Sequence, residues 1–495
     1  MQPEDQLIQQ RKQKLKFLLD KGINPYPYSF QKKDNAADIQ ETYKKLKKEE
    51  KTKKTATAAG RITAIRGMGK ASFATIQDQT GKVQFYIRED EIGKEQYELF
   101  QKAADIGDIV GVEGNIFRTK MGEITIDAKK LTILAKSLRP LPEKWHGLKD
   151  KETIYRKRFL DLIVNPETKE LFKKRTEFIK NIRNFLNQEG FMEVETPVLE
   201  EIPGGADATP FTTHHDALNT DLYLRIALEL HLKRLLVGGY EKIYELGKVF
   251  RNEGISTQHL QEFTMLELYQ AYADYEELMK FTEKLYTETI KKTFNKLEFN
   301  YEGKKINFKT PWGRIDYTET VKKETGIDLD KTKTKEELIK EIDKRNLGGG
   351  IDYNVGKGRV IDQLYKKHVR PKITGPVFLI NHPVEVSPLA KRKRDNPNKT
   401  ERYQVIIAGV EITNGFSELN DPVDQRKRFE EQAKMREQGD REAQMMDENF
   451  LEAVEVGFPP TAGLGLGIDR LFTILTNQES IRDVVFFPMM RPEGK

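Results

Sequence analysis

The sequence predicts an α+β protein of more than one domain, a small N-terminal β-barrel followed by a larger domain of sheet and helices. Three observations carry this. Between Ala59 and Leu134 apolar and polar residues alternate, as half-buried strands require. From Glu167 to Gly190 the apolar residues recur instead at steps of three and four, the period of an amphipathic helix. At 495 residues the chain is longer than one hydrophobic core usually serves.

Composition narrows the function classes. Charged residues make up 33% and hydrophobic residues 37% of the chain, and the net charge of +6 fits a polyanionic partner. With no cysteine at all, disulfides, thiolate zinc sites and cysteine nucleophiles are excluded together. The N-terminus lacks an apolar signal core and no long apolar run follows, so a cytoplasmic protein with no membrane partner is expected. Two basic runs stand out. KKLKKEEKTKK (44–54) reads as a solvated face, whereas KRKR (391–394) fits a solvated face and an anion contact equally well.

In order along the chain, residues 5–20 form a helix that Gly22 and NPYPY terminate, and a lysine-rich helical or mobile segment completes an N-terminal extension over 1–55. RITAI, SFATIQD, KVQFYIRE, DIVGVEGNIF and EITIDAKKLTIL are five short strands, which fit an OB-fold, a partly open barrel, over 56–140. Phe73, Phe85 and Tyr86 are candidates for stacking on bases, with Arg66, Lys70 and Arg88 for phosphates. The competing reading is that these rings fill the barrel; it is preferred for Phe85, which leaves Gln84 on the opposite face free for a base edge. A Pro- and Gly-punctuated linker spans 141–155, and a domain over 156–495 follows, with a helical insertion at about 320–395.

In that domain a long helix ending at Gly190 leads into FMEVETPVL, read as a strand ended by Pro197, an arrangement able to pair with its symmetry mate. A strand and a helix bearing Glu229 come next, then a strand ending at Arg251. In EFTMLELY the period of two puts Phe263, Met265, Glu267 and Tyr269 on one face. Together with Arg251, Glu253 and His259 they offer a guanidinium for an anion and a ring for a base. A surface hairpin laced with salt bridges is the alternative. TAGLGLGIDR alternates Gly463, Gly465 and Gly467, clearing one face for a ligand or backbone ahead of Arg470 at a helix start. Close strand–helix packing would also account for those glycines. The P-loop and G-x-S-x-G patterns are both missing.

RYQVIIAGVEITNGFSELND (402–421) looks like a buried hairpin but carries Gln404, Glu411 and Glu418, and burying a carboxylate without a cation or donors costs several kcal/mol. A two-residue turn at Ala408-Gly409 would pair Ile406 with Glu411 and Val405 with Ile412, and put Gln404 and Glu411 on one face.

FMEVETP, FRNEGI with EFTMLELY, and GLGLGIDR together resemble the three motifs of class II aminoacyl-tRNA synthetases, in order. GINPYPYSF, MGKASF, IPGGADATPF and NGFSELND narrow the likeness to the lysyl-tRNA synthetases of the bacterial and eukaryotic type, over essentially the whole chain. The resemblance implies an OB-fold anticodon domain on a class II catalytic domain, an antiparallel sheet flanked by helices, working as a homodimer on lysine, ATP and lysine tRNA with Mg²⁺. It further implies that Arg251 holds the α-phosphate and the lysine carboxylate, that Phe263 stacks on adenine with Glu253 at its edge, and that His259 and Arg470 meet the outer phosphates. Gly205 and Glu229 would bind the α-amino group, Asn414 would lie near the carboxylate, and Tyr269 and Glu418, with Glu267 close by, would receive the ε-ammonium. Arg66, Phe73, Gln84 and Glu123 match positions that read a uridine-rich anticodon.

Two departures matter. HLQEFT replaces the family's HNPEFT, with Leu260 and Gln261 in place of Asn and Pro. At the metal, where the family has two carboxylates, this chain has Glu411 as the principal ligand and Gln404 at the second position. Sharing these motifs, an aspartate or asparagine enzyme, a lysyl ligase acting on elongation factor P and a noncatalytic RNA-binding paralogue are the competing readings.

Overall fold

The structure is a computed structural model that describes residues 3–142, 148–437, 440 and 442–493; positions 143–147 of the expected linker lie outside the described residues. The chain divides into two compact units, residues 1–147 and 148–495.

In the first unit the helix Pro3–Asp20 precedes a barrel of five strands, Lys51–Met68, Ala71–Gln77, Lys82–Arg88, Ile109–Arg118 and Ile124–Ala135. The α+β class and the OB-type barrel hold, and the barrel is closed rather than partly open. The alternation that predicted the strands is seen in their burial: Ala74, Ile76, Val83, Phe85 and Ile87 point inward to one core. The lysine-rich stretch is not helical throughout. It contains the helix Ala36–Tyr43, and the first barrel strand already starts at Lys51, whose register with Phe117 extends the sheet through these lysines. Paired backbone overrides the local preference of lysine for helix.

A buried ion cluster joins the N-terminal helix to the barrel. Lys136, with no exposed side-chain surface, donates to Asp108 at 2.8 Å and Asp105 at 2.5 Å, while Lys14 reaches Asp105 at 2.6 Å. Arg11 adds bonds to the Ile106 and Ser137 carbonyls.

The second unit is built on an eight-stranded sheet, in the order Gly313–Asp316, Val377–Ile380, Arg402–Ile407, Val410–Ser417, Thr461–Gly467, Glu262–Ala271, Lys242–Phe250 and Met192–Glu193. Its middle is antiparallel as expected. Both edges are parallel, so the sheet is mixed, because the chain returns to each edge through a long crossover rather than a hairpin. The strand expected from FMEVETPVL is short, Met192–Glu193, and joins this sheet; beyond Pro197, where it was expected to end, Leu199–Glu200 joins a separate three-stranded sheet. The helices Pro166–Gln188 and Tyr275–Phe294 cover one face of the sheet through Phe178, Ile182, Leu285 and Ile290 against Leu266, Leu268 and Leu464. The other face is open at its centre, flanked by the helices Glu229–Val237 and Lys357–His368.

Lys136→Met is expected to destabilise the N-terminal unit by about 3–5 kcal/mol, since it leaves the buried Asp108 carboxylate without its cation while Asp105 keeps Lys14. Chemical denaturation checks the size of the loss. Burial opposes the charge of Asp105, but bonds from Lys136 and Lys14 outweigh it and lower its pKa. The stabilisation it brings is therefore present above the ordinary carboxylate range and fades as pH falls through it; the variant should show a weaker acid dependence.

Candidate functional site

The open face of the sheet holds a cavity of about 490 Å³. Strand register makes it. Tyr269 pairs with Gly463, Glu267 with Gly465 and Met265 with Gly467. A Cβ on Gly463 would collide with the Tyr269 ring and Glu418 Oε1, so the alternate glycines clear space for neighbouring side chains as well as for a ligand. Phe263, Met265, Glu267 and Tyr269 all line the cavity, as the period of two predicts, while Leu266 and Leu268 turn into the core behind it.

One end of the cavity is acidic. Glu267 and Glu418 are 3% and 1% exposed. Glu267 accepts from the Leu228 N–H at 2.9 Å and the Tyr269 hydroxyl at 3.0 Å. With its proton committed to Glu267, the Tyr269 oxygen offers lone pairs rather than a donor. Burial, reinforced by the Glu229 charge, pushes the Glu267 carboxyl up, and burial also raises Glu418 against the pull of Lys233.

Lys233 is the residue that the sequence reading missed. It lies on the helix Glu229–Val237, is 1% exposed, and forms ion pairs with both Glu229 and Glu418. Its Nζ stands 5.3 Å from the centre of the Phe416 ring. The buried Glu418 carboxylate thus has a cation of the chain's own beside it: Oε2 faces Lys233, while Oε1, also buried, has no hydrogen-bond partner. The only signal in the sequence was spacing, a lysine four residues after Glu229 on a helix face otherwise apolar.

The other end is basic. The Arg251 guanidinium lies 5.2 Å from the Phe263 ring centre and its Nε donates to the Ile226 carbonyl at 3.2 Å. Glu253, His259 and Arg470 line the same region. His259 shares a hydrogen bond with Ser256 Oγ at 2.8 Å. Burial, with Arg470, Arg370, Lys366 and Arg251 around it, lowers its pKa to about 4, so the imidazole is neutral at pH 7. Arg470 donates to the Glu411 carbonyl at 3.2 Å, and the preceding Asp469 accepts from the Thr264 N–H at 2.8 Å while pairing with Arg175 of the long helix. The HLQEFT departure is absorbed by packing: Leu260 joins the core, and Gln261 is buried and donates from Nε2 to the Glu253 carbonyl at 3.2 Å.

The Arg402–Ser417 hairpin turns at Ala408 and Gly409, both at positive φ (52° and 80°), as expected for a two-residue turn. Ile406 faces Glu411, but a bulge follows, so Val405 pairs with Thr413, not Ile412, and Gln404 with Asn414. Gln404 and Glu411 still reach the cavity. Gln404 Oε1 is buried with no hydrogen-bond partner. Near it His382 is held neutral by burial and by Arg402. Asn414 Oδ1 accepts from Arg402 Nε at 2.8 Å, which leaves its amide N–H groups for a ligand. Among the described residues no group of three or more His, Asp or Glu side chains is placed to hold a metal ion by itself. Glu411 and the orphaned Gln404 oxygen do fit one hard cation that brings its remaining ligands with it.

Gly205, at φ +81°, sits where a Cβ would press on the Glu229 Cβ at 2.9 Å. On the far wall Arg359 holds Asp207, Asp440 and Glu442 at 3.6, 3.3 and 3.2 Å, a second cluster the sequence reading missed.

In the N-terminal unit, Arg66, Phe73 and Tyr86 lie side by side on adjacent strands of the barrel exterior. The Phe73 and Tyr86 rings stack at 4.3 Å, and Arg88 lies over Tyr86 at 5.7 Å. Phe85 is fully buried, as expected. Gln84 Oε1 accepts from the Thr125 hydroxyl at 2.9 Å, and Glu123 is exposed just before that strand. Of the KRKR run, Lys391, Arg392 and Lys393 are tied to Asn420, Asp424 and Asn381.

Comparison with known proteins agrees with this geometry. Residues 150–491 match the family described as tRNA synthetases class II (D, K and N), and residues 56–134 match the OB-fold nucleic acid binding domain. The lysine–tRNA ligase of Pelotomaculum thermopropionicum is 51% identical over 99% of this chain and 95% of its own length. That of Moorella thermoacetica is 51% identical over 100% and 99%, and that of Thermotoga maritima 50% over 98% and 96%. The chain therefore belongs to the class II tRNA synthetases, in the branch whose members are lysine–tRNA ligases.

Proposed function

We propose that the protein is a lysine–tRNA ligase that joins lysine to ATP as lysyl-adenylate and pyrophosphate, then transfers the lysyl group to the 3′ end of lysine tRNA. The observation that carries the choice of amino acid is the acidic end of the cavity. A pocket for aspartate would need a cation facing the ligand there, whereas this one turns toward it the free Glu418 oxygen, the Tyr269 lone pairs and Glu267. Acceptors gathered at one end of the cavity suit the N–H bonds of an ammonium.

In this reading Glu229 and Gly205 hold the α-amino group, Asn414 lies near the carboxylate, and Arg251 clamps that carboxylate against the α-phosphate. Phe263 stacks on adenine with Glu253 at its edge, and Arg470 and the neutral His259 meet the outer phosphates. The substrate carboxylate is the nucleophile, so no protein nucleophile is required. A carboxylate oxygen bonds to the α-phosphorus, the bond to the bridging oxygen breaks, and pyrophosphate leaves with that electron pair. Alignment and charge neutralisation supply the rate. Mg²⁺ carried by the nucleotide would be held by Glu411 and Gln404, and would supply neutralisation of phosphate charge. Arg66, Phe73, Gln84 and Glu123 read the anticodon.

The segments divide the work: an extension over 1–55, an anticodon domain over 56–140, a linker over 141–155 and a catalytic domain from 156 with its insertion at about 320–395. Pairing of two copies through the Pro166–Gln188 helix and the edge at Met192 completes the assembly. Met192, Val198 and Leu199 are exposed there. Such an enzyme works in the cytoplasm; no helix among the described residues is long and apolar enough to cross a membrane.

ATP–pyrophosphate exchange across a panel of amino acids should show lysine as the substrate; preference for aspartate or asparagine would overturn the reading, and no exchange with any amino acid would favour a noncatalytic paralogue. Glu418→Gln should lower kcat/KM for lysine by roughly 10²-fold or more, the effect of losing one partner of a buried charge pair. Gln404→Glu restores the second carboxylate at the metal and should lower the Mg²⁺ concentration for half-maximal exchange several-fold. An unchanged Mg²⁺ requirement would remove Gln404 from the metal site.

A further inference from the structure

We propose that Lys233 is a specificity-determining positioning residue: a resident counter-ion that fixes Glu229 and Glu418 and leaves the pocket short of the two positive charges that a diamino acid brings. The inference rests on the lysine reading above and goes beyond it, since Lys233 is not expected to touch the substrate.

The geometry argues for it first. One ammonium, sealed from water, meets Glu229 on its own helix and Glu418 beyond the strand Val410–Ser417. These are the two carboxylates assigned to the α-amino group and the ε-ammonium. Phe416 and Phe450 stand 5.3 and 5.9 Å from Nζ, so rings as well as carboxylates wall the charge in. With Oε2 of Glu418 held by Lys233, the unpartnered Oε1 is the oxygen left for a ligand.

Charge counting argues for it second. With all three ionised around a bound ligand, Glu229, Glu267 and Glu418 bring three negative charges to this end and Lys233 returns one, which leaves room for two more positive charges; without that ligand, burial shifts Glu267 and Glu418 toward their protonated forms. Arg251 lies at the opposite end and is matched by the substrate carboxylate. Lysine carries two ammonium groups and fills that room; a neutral side chain of the same length fills half of it. A wholly apolar residue at position 233 would leave three buried carboxylates, which would lower their charge by taking up protons instead. Removing Lys233 alone strands two buried carboxylates and so costs stability as well, which is why the discriminating readouts are the lysine KM, its pH profile and the norleucine ratio rather than loss of fold.

The groups facing the cluster are Glu229 on the helix, Glu267 and Tyr269 on the strand Glu262–Ala271, Glu418, and at longer range Arg251. Burial disfavours the Lys233 charge, but Glu229 and Glu418 outweigh it and raise its pKa, so Lys233 stays charged through the working range.

The test uses the full chain and the variant Lys233→Met in ATP–pyrophosphate exchange between pH 6 and 9, with lysine and with norleucine, which has the same four side-chain carbons but no ε-ammonium. Expected are a rise in lysine KM of roughly 30-fold or more with ATP KM unchanged, a smaller preference for lysine over norleucine, and a lysine KM that worsens toward acid pH much more steeply than in the parent. Should Lys233→Met not fold, Lys233→Gln keeps donors to both carboxylates without the charge and gives the same readouts. A folded variant with parental lysine KM, pH profile and norleucine ratio, or one in which ATP and lysine KM rise together, makes Lys233 a merely structural residue and overturns the inference. Absence of lysine-dependent exchange in the parent chain would instead remove the reading on which it rests.

Discussion

Gly463 stands opposite Tyr269, and the missing side chain on one strand gives the Tyr269 ring and the Glu418 carboxylate room to turn into the cavity. Everything chemical in the second unit follows from that steric allowance. It lets Glu418 approach the same point from the next strand, and it allows a phenol and a carboxylate to share a space in which each would otherwise exclude the other. Burial then makes them strong: with little water present, a charge of the right sign arriving among them gains far more than it would at the surface.

The two ends of the cavity solve opposite electrostatic problems by different means. At the acidic end carboxylates are kept close by a lysine and by hydrogen bonds from Leu228 and Tyr269. At the basic end several cations crowd together without a carboxylate between every pair, and the one group there able to shed its charge, His259, does so. A phosphate chain entering that end meets guanidinium groups held by backbone carbonyls, donors already oriented and needing little rearrangement.

Much of this was legible in the sequence, because strands and helices leave periodic marks. The period of two in EFTMLELY identified which four residues face the cavity, and the Ala408-Gly409 turn fixed the approximate placing of Gln404 and Glu411. What escaped the sequence was whatever depends on contacts between distant segments. A bulge shifted the hairpin register past Ile406 without any glycine or proline to announce it. The parallel edges of the sheet follow from crossovers, which hydrophobic alternation does not encode. Lys233 was invisible for a related reason: a lysine on a helix is ordinarily solvated, and only its burial against Glu418, 185 positions away in the sequence, gives it a role.

Asp469 ends the account, because one carboxylate touches three segments far apart in the chain. It pairs with Arg175 on the long helix, takes the backbone N–H of Thr264 on the central strand, and immediately precedes Arg470 at the cavity. The scaffold helix and the cavity-lining Arg470 thus share a single anchor. A change in any one of the three segments is therefore felt by the other two: a long helix without a cation at position 175 leaves the Asp469 carboxylate, which holds the central strand and adjoins Arg470, short of its ion pair.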